Sequence, residues 1–298
     1  MIQTGTTESL HLRRSLRAVA VLFASVLLTS CATVYVDELG ESALKAEQYD
    51  IDTETGVGAC RTALSEVKEL ASSELDASNI RLVNWNIRKQ IDPESGLDLA
   101  SLSNEKDLIL IQEASLREET INNVDASKHW SFAPGYRTSG AVSGVLTLSS
   151  IKPLTQCSFV SLEPILRSPK ATSITEYGLT ATEQTLVVVN MHAVNFSTGL
   201  KAFRNQFQQV SRTLRDHRGP IIFSGDLNTW RKKRIQIVED FAESLGLDSI
   251  EFGDDHRVKV FGNILDHIYV RGLSTIYTRT DAVETSDHNP MSATFSAM

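Results

Sequence analysis

Residues 220–230 read PIIFSGDLNTW and hold a carboxylate, Asp226, two positions before a carboxamide, Asn228. The apolar run Ile221-Ile222-Phe223 ahead of them predicts a buried strand. Ser224-Gly225 predict a turn at its carboxyl end. Side chains at i and i+2 of an extended chain share a face, so both would point beyond the strand end. A carboxylate there can bind a divalent cation or take a proton from water, and the amide can hold a phosphate oxygen. Phosphoryl chemistry needs those functions. Gly-Asp and Asn-Thr are also ordinary turn residues, so this stretch alone is equally a surface turn.

Other strand ends finish in the same way. Residues 80–87 (IRLVNWNI) alternate as a strand and carry Asn84 and Asn86. Residues 107–111 (DLILI) run into Gln112-Glu113, and a helix is predicted over 114–124. Residues 144–149, 158–162 and 171–177 read as further strands. The buried strand at 186–190 (LVVVN) ends at Met191-His192. Helical spacing marks 200–215 and 231–245, the latter with Ile235, Val238, Phe241, Ala242 and Leu245 on one face. A strand over 263–270 bears Asp266 and His267, and residues 285–290 form a turn with Asp287-His288 before a last strand at 291–295. The alternation predicts an α/β protein with a layered core.

Each polar residue has an ordinary structural role open to it. Glu113 could cap the helix after it, the histidines could be satisfied core groups, and Asp287-His288 could be a plain turn. Their joint occurrence at five strand ends or turns is what points to a site.

Those residues carry a resemblance. Trp85-Asn86, Gln112-Glu113, Asn190-Met191-His192, Gly225-Asp226-Leu227-Asn228, Leu265-Asp266-His267-Ile268 and Ser286-Asp287-His288-x-Pro290 resemble the ordered motifs of the endonuclease/exonuclease/phosphatase superfamily. The runs MHAVNFSTG, GDLNTW, LDHIYVRGL and SDHNP are most similar to its bacterial YafD-like branch. The resemblance implies a four-layer α/β sandwich, two mixed β-sheets flanked by helices, over 79–298. It implies a hydrolase that drives water in line onto phosphorus. Glu113 would be the principal ligand of Mg²⁺ (or Mn²⁺), with Asn86 beside it and Asp287 as an additional ligand. Asp226 would position or deprotonate the water, Asn228 would hold a phosphate oxygen, and Asp266 would fix the tautomer of His288. His192 and His288 would contact the scissile phosphate, with Asp226 and the Asp266–His288 pair both open as the base. His267 is read as structural.

The amino terminus reads as an export signal over 1–30. Arg13, Arg14 and Arg17 precede an apolar stretch at 18–28, 11 residues long, too short for a bilayer that takes about 20. Leu28-Thr29-Ser30-Cys31 resembles a bacterial lipobox, which implies lipidation of Cys31, a membrane tether, and a periplasm-facing address at the outer membrane. Residues 31–78 read as tether and lead-in, with a helical period from Cys60 to Leu75. Cys60 and Cys157 are free to pair or not, and the three cysteines lack the spacing of a zinc cage.

Net charge is −8, and removing residues 1–30 (three Arg, one Glu) makes it −10. That is a poor overall field for a polyanion, so any basic patch must be local. Arg88 (with Lys89) after Asn86, and Arg231 (with Lys232, Lys233 and Arg234) after Asn228, are the candidate substrate-binding clusters. The expected partner is a phosphodiester, either nucleic acid or phospholipid and inositol phosphate, bound by a monomer. The alternative is a degenerate, non-catalytic binding domain on a lipid anchor.

Overall fold

The computed structural model describes residues 54–66, 73–116, 127–138, 141–197 and 199–298. The readings of an export signal, a lipidated Cys31 and a tether up to residue 53 lie outside these. In chain order the elements are β1 (Glu54–Thr55), α1 (Val57–Ser65), β2 (Ile80–Asn86), a 3₁₀ turn (Arg88–Gln90), α2 (Ser95–Ser103), β3 (Leu108–Leu116), β4 (His129–Thr138), β5 (Ala141–Ser149), β6 (Thr155–Leu162), β7 (Pro169–Gly178) and β8 (Thr185–His192). Then come α3 (Lys201–Leu214), β9 (Ile221–Asp226), α4 (Lys232–Leu245), β10 (Asp248–Ser249), β11 (Lys259–Val260), β12 (Asn263–Ile264), β13 (Asp266–Arg271), β14 (Leu273–Thr280) and β15 (Met291–Ala297).

Two mixed sheets result, ordered β1-β6-β7-β8-β9-β13-β10 and β14-β15-β2-β3-β5-β4. Each has a parallel pair near its middle, β8 with β9 and β2 with β3. The run of valines in β8 shows why the layers stack. Leu186 and Val188 join the core between the sheets with Leu82, Leu110 and Ile222. Val187 and Val189 face the other way, into a core under α3 and α4 with Phe203, Phe207, Phe223 and Phe241. A strand buried on both faces has to be apolar at every position. In α3 the buried Phe203, Phe207, Val210 and Leu214 recur every three or four residues, the stripe that docks a helix on a sheet. The second sheet packs its outer face on Leu99 of α2. The order is helices, sheet, sheet, helix: the four-layer α/β sandwich expected.

Three local expectations are corrected. Residues 114–116 do not open a helix but continue β3, with Ala114 opposite Gly144 of β5 after a bulge at Gln112-Glu113; the rest of that predicted helix lies outside the described residues. Ser224-Gly225 do not turn. They extend β9 to Asp226, Gly225 at φ 150° because a Cβ there would meet the Met191 carbonyl oxygen at 1.9 Å. The helix read from Cys60 to Leu75 stops at Ser65, and Leu75 instead bridges to Leu179. Described residues ahead of 79 also join the sheets. β1 pairs with β6, and α1 is joined to β6 by a Cys60–Cys157 disulfide with 5.3 Å between Cα atoms. β4, β14 and α2 are further elements that the pattern reading did not pick out.

Candidate active site

Strand register assembles the site. Asp226, the last residue of β9, lies opposite His192 of β8 on one side and Asp266 of β13 on the other. Three strands in one sheet thus deliver three titratable side chains in one row. The facing sheet supplies Asn86 from the end of β2, whose Nδ2 donates to Asp226 Oδ2 at 3.1 Å.

Asn228 follows at φ 50°, in the left-handed region that Asn tolerates better than most residues. This twist lets its backbone N–H donate to Asp226 Oδ1 at 3.0 Å and its Nδ2 to Oδ2 at 3.3 Å. Burial pushes the Asp226 carboxyl up to about 6, against the pull of His288 toward ionisation and with Asp266 adding to the rise.

His288 donates from Nδ1 to Asp266 Oδ2 at 2.8 Å, which turns its Nε2 toward Asp226 Oδ2 at 3.9 Å. Burial alone would depress this imidazole, but the charges of Asp266 and Asp226 outweigh it and hold it up to about 10. Trp85 Nε1 steadies the turn by donating to the His288 carbonyl at 2.8 Å.

His192 behaves in the opposite way. Burial, then the positive charge of Lys170, drives it well below the ordinary imidazole value. Its Nε2 lies 2.8 Å from Lys170 Nζ, 3.4 Å from Asp226 Oδ2 and 3.8 Å from Glu113 Oε1. A neutral imidazole accepting from the ammonium carries its proton on Nδ1, so Lys170 supplies the positive charge on this wall. Nothing in the sequence pattern singles out Lys170, a lone lysine at the head of a strand. In the fold it stands between His192 and the buried carboxylate of Glu163, 3.9 Å away.

Glu113 occupies the bulge of β3 at φ 53°. The bulge re-aims a side chain that regular pairing would bury or expose by alternation alone. Its carboxylate, partly open to solvent, lies 3.6 Å from Lys89 Nζ. Asp287 stands apart from this group. It is more than half exposed, with its carboxylate 3.6 Å from Arg88 Nε at the rim.

Arg231 packs its guanidinium over Trp230, 4.9 Å from the ring centre. Arg234 does not belong to a surface cluster. It is fully buried, donating to the Val194, Asn195 and Asn228 carbonyls at 2.6, 2.6 and 3.1 Å, and it braces the loops that follow β8 and β9.

Several motif residues hold the sheets together instead. Gln112 Nε2 donates to Asn84 Oδ1 at 2.9 Å and, across to the other sheet, to Asn190 Oδ1 at 2.7 Å. Asn190 Nδ2 donates back to the Leu146 carbonyl at 3.0 Å. Beneath the site these buried amides are a polar strut between two apolar layers, where a missing partner would cost about 1–3 kcal/mol. His267 likewise lies 2.7 Å from Thr229 Oγ1 with Nε2, and burial with Arg257 nearby pushes it down to about 4.

The donor set fits a divalent cation. Glu113, Asn86 and Asp226 offer oxygens, as hard cations require. Asp266 adds a second buried carboxylate beside Asp226 in the same row, and among the described residues its buried Oδ1 has no hydrogen-bond partner.

Comparison with known proteins agrees with this geometry. The chain is 32% identical over 253 residues to a UPF0294 protein of Vibrio campbellii, covering 84% of this chain and 89% of that one. A UPF0294 protein of Erwinia tasmaniensis is 36% identical over 224 residues, covering 74% and 82%. Among solved structures, the human Nocturnin catalytic domain superposes with a TM-score of 0.55 at 15% identity, covering 76% of this chain and 97% of that domain. Beta toxin from Staphylococcus aureus gives 0.55 at 14% identity, covering 72% and 99%. Residues 83–288 match the model of the Endonuclease/Exonuclease/phosphatase family, from the second strand of the fold to the last of the site histidines, and the chain belongs to that family.

Proposed function

We propose that this protein is a divalent-metal-dependent phosphodiester hydrolase. The observation that carries the reading is Asp226, a buried carboxylate whose Oδ2 receives Asn86 and Asn228 and faces both site histidines. His288 donates from Nδ1 to Asp266, and the charges of Asp266 and Asp226 favour its protonated form. In this reading the proton lost by the attacking water goes to Asp226. The water oxygen bonds to phosphorus, and the bond from phosphorus to the leaving alcohol breaks. His288 and Lys170 offer N–H groups to the oxygens on which charge develops, and Asn228 orients the phosphate. Glu113 and Asn86 would hold Mg²⁺ or Mn²⁺, while Asp287, the additional ligand implied by the resemblance, pairs with Arg88 at the rim instead. The bound cation supplies Lewis-acid stabilisation of the phosphate oxygens. Arg88 and Arg231, at the rim, would meet flanking parts of the substrate. Human Nocturnin's catalytic domain, which shares the fold, holds a sulfate anion, a tetrahedral oxyanion like the group to be cleaved. No observation favours a non-catalytic binding domain.

Glu113 decides whether the cation belongs to this reading. Glu113→Gln is expected to weaken Mg²⁺ affinity by more than the ~10-fold typical of losing a supporting group, and to lower activity with it, with partial rescue by Mn²⁺. Calorimetric titration of both proteins beside thermal melts is the measurement. Equal affinity with only a shifted melt would remove Glu113 from the metal site.

The address of the protein is proposed as the cell envelope, on a lipid carried by Cys31. Fatty-acid labelling of the precursor is expected and should vanish in Cys31→Ser; unchanged labelling in that variant would refute lipidation there.

A further inference from the structure

Three loop tips beside the site carry exposed apolar side chains. Leu162 ends β6 and Ile165 and Leu166 occupy the turn after it, Phe196 lies in the loop after β8, and Phe261 in the β11–β12 turn; each is between 45% and 85% exposed. Hydrogen bonds and a ring contact chain these loops together. Buried Glu163 Oε1 accepts from the Asn195 and Phe196 N–H groups at 2.7 and 3.3 Å. Trp230 Nε1 donates to Asn195 Oδ1 at 3.0 Å, and the Trp230 ring centre is 6.4 Å from that of Phe261. The chain of contacts reaches the reacting centre through Lys170, which bridges Glu163 and His192.

Phe261 is placed at a cost. It adopts φ 51° in the hairpin turn, where Asn or Gly is favoured, and leaves its ring 85% exposed. Neither property helps the fold, which points to a use outside it.

Charge indicates what covers this rim. The stretches 164–168, 195–197, 229–233 and 259–264 contain Arg167, Arg231, Lys232, Lys233 and Lys259 and no acidic residue, in a chain of net charge −8. Apolar tips interleaved with cations match an anionic bilayer, whose headgroups take the charges while its acyl boundary takes the tips. Single-stranded nucleic acid would use the two phenylalanines for stacking but has no use for three aliphatic tips.

We infer that this rim docks on an anionic phospholipid surface, and that the phosphodiester cleaved is that of a phospholipid headgroup. The second half rests on the hydrolase reading. Docking so close to His192 presents a headgroup to the site without drawing the lipid out of the bilayer.

The test uses residues 36–298, which keep both sheets, the cores described above and the disulfide. It compares that protein with its Leu166→Ser/Phe196→Ser variant, which removes apolar surface and adds no charge. Flotation with vesicles of phosphatidylethanolamine and phosphatidylglycerol is expected to exceed that with phosphatidylcholine alone, and to fall at least about tenfold in the variant, as removal of two inserted side chains implies. Lipid hydrolysis should fall in parallel, with turnover of soluble bis(p-nitrophenyl) phosphate unchanged. Equal flotation of parent and variant would overturn the docking surface, as would a variant that loses oligonucleotide binding instead. If the parent cleaves no phosphodiester with any divalent cation, the hydrolase reading and the headgroup assignment fall, while the flotation comparison still decides the surface.

Discussion

Asp226→Asn is expected to reduce turnover by at least ~10²-fold with the fold retained, the scale on which a general acid–base group acts. The substitution keeps the shape and removes the charge. Its effect on stability is a balance of two terms. Asn86 Nδ2 and Asn228 Nδ2 both donate to Asp226 Oδ2, so an amide nitrogen placed there would meet donors, which favours the flip that leaves its oxygen in that position. The nitrogen then faces the Asn228 N–H that Oδ1 accepted, losing one hydrogen bond worth about 1 kcal/mol. Against that loss, a buried carboxylate whose pKa stands near 6 is costly to keep ionised at neutral pH, and the amide relieves that cost. The melt should therefore lie close to that of the parent. Turnover near the parent's in a folded variant would exclude Asp226 as the base.

The largest stability effect should come from the disulfide. Cys60 and Cys157 are 97 residues apart, and both are fully buried. Closing a loop of that length in the unfolded chain stabilises the native state by roughly 4–5 kcal/mol in the chain-entropy account. Cys60→Ala/Cys157→Ala should lose about that much in urea unfolding, and reduction of the parent should reproduce the loss. The cross-link ties α1 to β6, where among the described residues the added strand contact is the two-residue pairing of β1, so digestion in the double variant should begin ahead of β2. A loss below about 1 kcal/mol would show that the loop is already constrained without the bond.

The sequence made the row of candidate site residues legible because strand ends concentrate polar residues and apolar runs announce strands. Asp226, Asn228, His192, Asp266 and His288 do converge, and Asn86 meets them from the other sheet. What stayed hidden depends on burial and backbone twist. Arg234 reads as one more cation in a basic run, yet it is the buried brace of two loops, since a run of charges does not tell which member a helix turns inward. Gln112 and Asn190 read only as motif neighbours of Glu113 and His192, and they prove to be struts beneath the site. Glu113 reads as the start of a helix because acids favour a first turn, whereas a bulge with positive φ keeps the chain extended. Lys170 gives no pattern at all. Its role appears only when antiparallel pairing of β7 with β8 brings it beside His192.

The most direct test of the central reading is phosphodiester hydrolysis by residues 36–298, measured on bis(p-nitrophenyl) phosphate, nucleic acids and phospholipid vesicles, with Mg²⁺ or Mn²⁺ and with chelator. The expected result is hydrolysis of at least one of them that requires the cation, is lost in chelator, returns when the cation is restored, and is absent or at least ~10²-fold weaker in Asp226→Asn. Hydrolysis that persists unchanged in chelator, or equal turnover in parent and Asp226→Asn, would contradict it, as would a folded protein that cleaves none of these substrates with either cation.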